Sequence, residues 1–230
     1  KVWKKSKQSI NPVIERFTVG SDYVLDQKLV LYDVKASAAH AEMLAKIGVL
    51  SASEKRVLLR SLGEIARLAQ KGAFTIRRED EDCHTAIENY LTEKLGDLGK
   101  KVHTARSRND QVLTALRLYY KNELNDCKKL TIELVGAIGK SVKKYGKIKL
   151  SGYTHTRKAM PSSISIWGNS FIDSMKDNLK LVDCALQLVD QSPLGTGAGY
   201  GVPIKIDRNF SSRILGFKSV KMRGGLHVTV

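Results

Sequence analysis

Three short stretches concentrate the groups that could do chemistry. Residues 81–85 read Glu81-Asp82-Cys83-His84-Thr85; residues 103–112 read "HTARSRNDQV"; residues 152–163 read "GYTHTRKAMPSS". Hydroxyls, amides and guanidinium groups set side by side suit a polar, charged ligand. Arg meets planar oxyanions with paired N–H donors, and Ser, Thr and Asn add directional ones. A His whose pKa lies near neutrality can move a proton in such company. Each stretch also has a plainer reading. Ser107, followed by Asn109 and Asp110, reads as a helix cap. The acidic run 79–82 suits the positive end of a helix dipole, and a metal would need converging ligands that spacing does not supply. Thr154 and His155, beside a Gly turn, read as a loop with satisfied hydrogen bonds. The Gly-rich "GTGAGYG" at 195–201 follows a helical stretch instead of a strand and lacks the GK[ST] of nucleotide-binding loops.

The elements that must position these groups read as helices. Ser21 or Asp22 can cap a first helix, and residues 34–47 read as a second, with Met43, Leu44 and Ile47 on its apolar side. Ser51 or Ser53 can cap a third, which Glu54 opens and Gly72 closes; Leu58, Leu62 and Ile65 keep helical spacing along it. Ala86, Ile87, Tyr90 and Leu91 continue after the acidic run. From about Ser107 to Lys144, and again from Ser162 to Asp190, apolar stripes run almost without punctuation. Helices of that length need partners for their stripes, as members of a bundle. Two of the three polar stretches flank these long helices.

Composition narrows the classes. A chain of 230 residues with 42% hydrophobic residues can bury a core, and few aromatics with only 4 Pro favour helices over a β-sandwich. The net charge of +16 could mark a nucleic-acid partner, but it is scattered, without a basic stripe interleaved with aromatics and without zinc spacing. Nucleic acid is therefore not expected as a partner, and the charge is left to steer small anions. Cys83, Cys127 and Cys184 lie far apart, as free thiols in a reducing, cytoplasmic compartment would. The basic start "KVWKKSKQSI" is followed by no apolar run, and no stretch is long and apolar enough to span a membrane.

Taken together, the motifs resemble those of one family, the argininosuccinate lyases of the fumarase/aspartase superfamily. The carriers are "EDCHTAIENYLTEKLGDLGKKVHTARSRNDQV", "GYTHTRKAMPSS" and "SPLGTGAGYGVPIKIDR", and the resemblance runs from about Phe17 to Val220. "SRNDQV" separates it from the fumarases, aspartases and adenylosuccinate lyases. The resemblance implies an all-α fold: an N-terminal helical domain over 1–106 and part of a long-helix central bundle over 107–230, with the rest of the bundle and a C-terminal domain missing. It implies β-elimination of argininosuccinate to arginine and fumarate in a homotetramer, without metal or organic cofactor. A base removes a proton beside a carboxylate, the C–N bond breaks, and fixed donors hold the doubly charged intermediate.

Residue by residue, Ser21, Asn109 and Thr154 match substrate-binding positions, and His155 matches a histidine with an acid/base or orienting role. Thr154 is grouped with His155 in catalysis. Ser107 and Arg108 match further positions lining the site; Asp82, His84 and Asp110 match supporting ones. Two departures stand out. Thr156-Arg157 replaces the family's Leu-Gln, placing a cation beside the site and raising a sister-substrate lyase as an alternative. The family's "GSSxMPxKxNP" loop, with its proton-abstracting serine, is not found, and the tail "KMRGGLHVTV" over 221–230 departs from the family's continuation. A truncated, inactive chain that exposes apolar surface is the expectation; a non-catalytic, crystallin-like relative is the alternative.

Overall fold

The computed structural model describes residues 12–221. The basic start and the divergent tail from residue 222 onward lie outside the described residues. The fold is all-α in its architecture, with nine α-helices among the described residues. The chain forms two compact units: one runs through Tyr119 and resumes at Asp190, and the other is Tyr120–Val189. These units are set by contacts within this chain, whereas the boundary expected at 106/107 is that of a bundle domain, so the two divisions differ.

The first unit is built around α3 (Val30–Lys46), which packs against α4 (Ala52–Gln70), α5 (Cys83–Leu95) and α9 (Arg208–Leu215). Before it stand α1 (Pro12–Val19) and the single turn α2 (Asp22–Leu25). Ser21 is the N-cap of α2 by position, but its side chain makes no capping bond; its carbonyl accepts from Val24 and Leu25. α3 starts at Val30, earlier than the apolar spacing suggested, because a 3₁₀ turn at Asp26–Lys28 leads straight into it. Gln27 pins that turn, donating to the Phe74 carbonyl and accepting from the Ile76 amide. Alanines at 36, 39 and 41 let neighbours approach α3 closely, and Met43, Leu44, Leu58 and Leu62 fill the interior. α6 (Asp97–Lys100) turns the chain beyond α5; Gly99 is required there, since a Cβ would lie 2.3 Å from the Leu91 carbonyl oxygen.

α7 (Arg108–Tyr145) begins in the first unit and continues into the second. In the second unit it is followed by β1 (Lys149–Thr154), β2 (Arg157–Ser163) and α8 (Ile164–Val189). The strands form an antiparallel hairpin in which Thr154 pairs with Arg157, with an irregularity between Ser151 and Tyr153. That hairpin was not legible as strands. α7 and α8 meet where Gly168 faces Val142, since a Cβ there would sit 2.4 Å from Val142 Cγ2. Lys128 Nζ and Asp183 Oδ1 are joined at 2.5 Å. Much of the apolar stripe of this unit is exposed, including Leu130 (64%), Trp167 (61%) and Leu181 (70%). Back in the first unit, the two-residue strands β3 (Gln191–Ser192) and β4 (Ser219–Val220) pair in parallel around α9.

Ser51 closes a full capping box on α4: its hydroxyl accepts from the Glu54 amide, and the Glu54 carboxylate accepts from the Ser51 amide at 2.8 Å. Ser51→Ala removes one arm of this exchange. It should lower stability by about 1 kcal/mol, read as a shift of the urea midpoint with an unchanged slope.

Candidate active site

The first two polar stretches meet inside the first unit. Asp33, on α3, has no exposure to solvent, and neither has its ring of partners more than a trace. His84 Nδ1, at the start of α5, donates to Asp33 Oδ2. Gln111 Nε2, on α7, lies 3.2 Å from each Asp33 oxygen. Ser37 Oγ donates to Oδ1 at 3.1 Å and accepts from Arg106 Nη1 at 3.0 Å. Arg106 Nη2 stands 3.6 Å from Oδ1, an ion pair but too long for a hydrogen bond. Burial alone would raise the Asp33 carboxyl, but the His84 charge and its bond, then Arg106 and Gln111, hold it down to about 2. Burial likewise disfavours a charged His84, and the Asp33 carboxylate outweighs it, so His84 is raised. The two directions agree on a charged pair.

A second link runs nearer the surface. Asp82 caps α5 by accepting from the Thr85 amide at 2.8 Å, so the bland reading of the acidic run is correct for this residue. Its other oxygen accepts from Arg108 Nη1 at 2.7 Å, while Arg108 Nη2 donates to Thr85 Oγ1 at 3.1 Å. Arg108 thus ties the "EDCHT" and "SRND" stretches together while staying partly exposed. Ser107 Oγ accepts from the Asn109 amide at 3.3 Å, and both residues are half-buried at the start of α7.

Asp110 makes a third link. Its Oδ1 accepts from the Ser107 amide at 2.9 Å; its Oδ2 accepts from the Gly195 and Gly197 amides at 2.9 and 3.0 Å. The Gly-rich stretch is therefore a donor loop for a protein carboxylate. Gly195 and Gly197 have φ of +90° and +59°, which turns both amides toward one oxygen. Burial raises the Asp110 carboxyl, against Arg106 and these three amides.

Thr154 and His155 lie in the second unit, exposed at the hairpin tip. His155 and Thr156 have φ of +50° and +65°, the left-handed pair of a tight hairpin turn, without the Gly or Asn that usually occupies it. A β-branched residue held there is strained. Ser21 is exposed on the turn before α2.

Sequence reasoning missed Asp33, Ser37 and His40, which fall on one face of α3 at the spacing i, i+4, i+7. Three polar residues on a face otherwise made of Val30, Val34 and Leu44 were the available signal. Arg106 was quoted within its stretch but given no role. His40 Nε2 donates to the Thr104 carbonyl at 2.8 Å, and burial brings the ring down to about 3, so it is neutral. Among groups able to hold a metal, Asp26, Cys83 and His84 come together. A surface cavity of about 510 Å³ lined by Ile47, Lys205 and Asp207 contains none of the expected site residues.

The fold and this network define a member of a lyase family. A family model described as Lyase matches residues 7–223, and the chain belongs to that family. Within it, the similar proteins are argininosuccinate lyases, as the motifs suggested. The argininosuccinate lyase of Thermotoga neapolitana is 50% identical over 96% of this chain and 55% of its own length. That of Phocaeicola vulgatus is 40% identical over 96% of this chain and 49% of its own. The chain thus spans about half the length of the curated relatives it matches. Among solved structures, an EDDS lyase variant with bound fumarate superposes with a TM-score of 0.78 over 95% of this chain and 43% of that one, at 22% identity; it supports the fold. No helix of the described residues is long and apolar enough to cross a membrane.

Two outcomes follow from the buried groups. Asp110→Ala leaves three amides without an acceptor and should cost about 3 kcal/mol or more, with faster hydrogen exchange at Gly195 and Gly197. His40 titrates at 6.5 unfolded and about 3 folded. Its contribution is complete above about pH 6.5 and is lost as pH falls toward 3, because the unfolded chain binds the proton more tightly. Urea midpoints for His40→Gln should therefore fall less steeply between pH 6.5 and 4 than those of the parent.

Proposed function

We propose that this chain serves the β-elimination of argininosuccinate to arginine and fumarate, the chemistry of arginine biosynthesis. The observation that carries the reading is the junction of the "EDCHT" and "SRNDQ" stretches through Asp33–His84–Gln111 and Asp82–Arg108. It holds the start of α7 rigidly, so that Ser107 and Asn109 are presented as fixed donors. Fixed donors are what a carbon acid adjacent to a carboxylate requires, since they stabilise the developing charge without reorganising.

In this reading Ser21, Asn109 and Thr154 bind substrate carboxylates and amino groups, with Ser107 and Arg108 lining the site. Asp82, His84 and Asp110 support it from behind. His155 transfers or orients a proton. The family's proton-abstracting serine loop is not among the 230 residues of this sequence. The protein works as a cytoplasmic homotetramer, in which the exposed stripes of α7 and α8 pack into a shared bundle. The support is the 50% identity to an argininosuccinate lyase together with the motif residues.

The test supplies the remaining half of the Thermotoga neapolitana enzyme as a separate chain and follows fumarate release by ultraviolet absorbance. Release is expected from the mixture, and His155→Asn should lower it by about a hundredfold. No release from a mixture shown to associate would favour the non-catalytic, crystallin-like reading. Undiminished release from His155→Asn would remove the proton-transfer role.

A further inference from the structure

We propose that the hairpin end of the second unit is a collecting surface for small dicarboxylate anions, formed by the lysines at the end of α7 and the cations of the β1–β2 hairpin around Thr154 and His155. Its service to the elimination rests on the reading above; the anion binding itself does not.

Charge is segregated along this unit. Between Glu133 and Asp173 the sequence has no Asp or Glu, yet it carries seven Lys and Arg side chains. All seven are exposed. Asp173, Asp177 and Asp183 pair with Lys176, Lys180 and Lys128, and none of the seven meets a carboxylate among the described residues. Lys140, Lys143 and Lys144 follow i, i+3, i+4 spacing along α7, and Lys147 comes in the turn after it. Ile138 and Val142 face Gly168 on α8, so the lysine face is turned away from that helix. A helix C-terminus favours cations in its last turn. That accounts for Lys143 and Lys144, but not for the continuation through Lys147, Lys149, Arg157 and Lys158.

Neighbouring lysines on such a face lie about 5–6 Å apart at Cβ. That is inside the Debye length of about 8 Å at physiological salt, so their potentials add. On the hairpin, Thr154 pairs with Arg157 and Tyr153 with Lys158. Directly paired residues put their side chains on one face. The Arg157 guanidinium therefore shares a face with the Thr154 hydroxyl, and both groups donate to carboxylates. The lysines surround them with positive potential, which favours a dianion over a monoanion. A partner helix laid over the lysine face would bury unpaired cations, which is costly. Covering the apolar stripes thus leaves this face to solvent.

Trp167 is a built-in reporter of this surface. It is 61% exposed and lies in the first turn of α8. The Ser165 amide donates to the Gly146 carbonyl at 3.2 Å, which sets that turn beside the segment between Lys144 and Lys147. Trp3 is the other tryptophan of the sequence, so Trp3→Phe isolates the signal.

The experiment quenches Trp167 fluorescence in the Trp3→Phe chain with iodide, caesium and neutral acrylamide, beside N-acetyltryptophanamide as reference. Relative to acrylamide, iodide quenching should exceed that of the reference by about threefold at low salt, and caesium quenching should fall below it. Adding Lys144→Gln and Lys147→Gln should remove most of the iodide excess. Sodium fumarate should protect Trp167 from iodide more than sodium chloride does at equal ionic strength, and neutral fumaramide should not protect. An iodide excess that is absent, or unmoved by the two lysine substitutions, overturns the proposal. Fumarate that protects no better than chloride overturns it equally. In the mixture with the complementary half-enzyme, the same lysine substitutions should lower kcat/KM about threefold at low salt with kcat unchanged, and high salt should close the gap. An equal kcat/KM in an active mixture removes the service to the elimination. Fumarate protection beside an inactive mixture would count against the elimination reading and leave the binding surface in place.

Discussion

Asp33 is a carboxylate with no exposure to solvent, and the first unit is arranged to meet that condition. Removing such a charge from solvent costs several kcal/mol even after relaxation, and the cost is offset only by partners of good geometry. The partners come from three places remote in sequence: His84 from the start of α5, Gln111 from the first turn of α7, and Arg106 from the segment before it. Ser37, a turn further along α3, completes the set by bridging to Arg106. Apolar side chains around α3 could be repacked with a small rotation of any helix. Directional bonds to a single carboxylate cannot, so the position of α7 relative to α3 and α5 follows from one buried charge.

Asp110 applies the same condition at the other side of the α7 start, with a different solution. Here the donors are backbone amides, and the loop that provides them must bring Gly195 and Gly197 to one oxygen. The mouth of α7 is thus divided by direction. Arg106, Asp110, Gln111 and Thr114 face inward and are consumed by the fold, while Ser107, Arg108 and Asn109 remain partly exposed. So many polar groups gather at one helix end because two tasks share it. The inward set immobilises the backbone from which the outward set projects.

Legibility from sequence followed the range of the forces involved. α4, with its capping box and apolar spacing, was readable because every contribution lies within a few residues. The long stripes of α7 and α8 were readable for the same reason. The hairpin was not: "GYTHTRKAMPSS" lacks alternation, and its turn carries His155 and Thr156 where Gly or Asn would have signalled it. The Asp33–His84 pair spans 51 residues and could be found only by asking why α3 carries Asp33, Ser37 and His40 on a buried face. Motif resemblance singled out His84, Asp82 and Asp110 without giving their contacts. In the structure His84 bonds a buried carboxylate, Asp82 a guanidinium and Asp110 the amides of a glycine loop.

The second unit poses the opposite problem. Leu130, Ile166, Trp167, Leu181 and Leu188 are each at least three-fifths exposed. Burying such a side chain is worth about 1.5–3 kcal/mol, so these five alone represent on the order of 10 kcal/mol not realised in the single chain. The same unit holds Thr156 in a left-handed conformation, a strain of about 1–3 kcal/mol, beside His155, which we propose for proton transfer. A hairpin on so sparse a base has little with which to hold that turn. If further helices cover the stripes, as proposed, the stabilisation exceeds the strain several times over, and the turn becomes a fixed feature. The geometry of His155 then depends on assembly, whereas that of Asn109 is set within the first unit by Asp33 and Asp110.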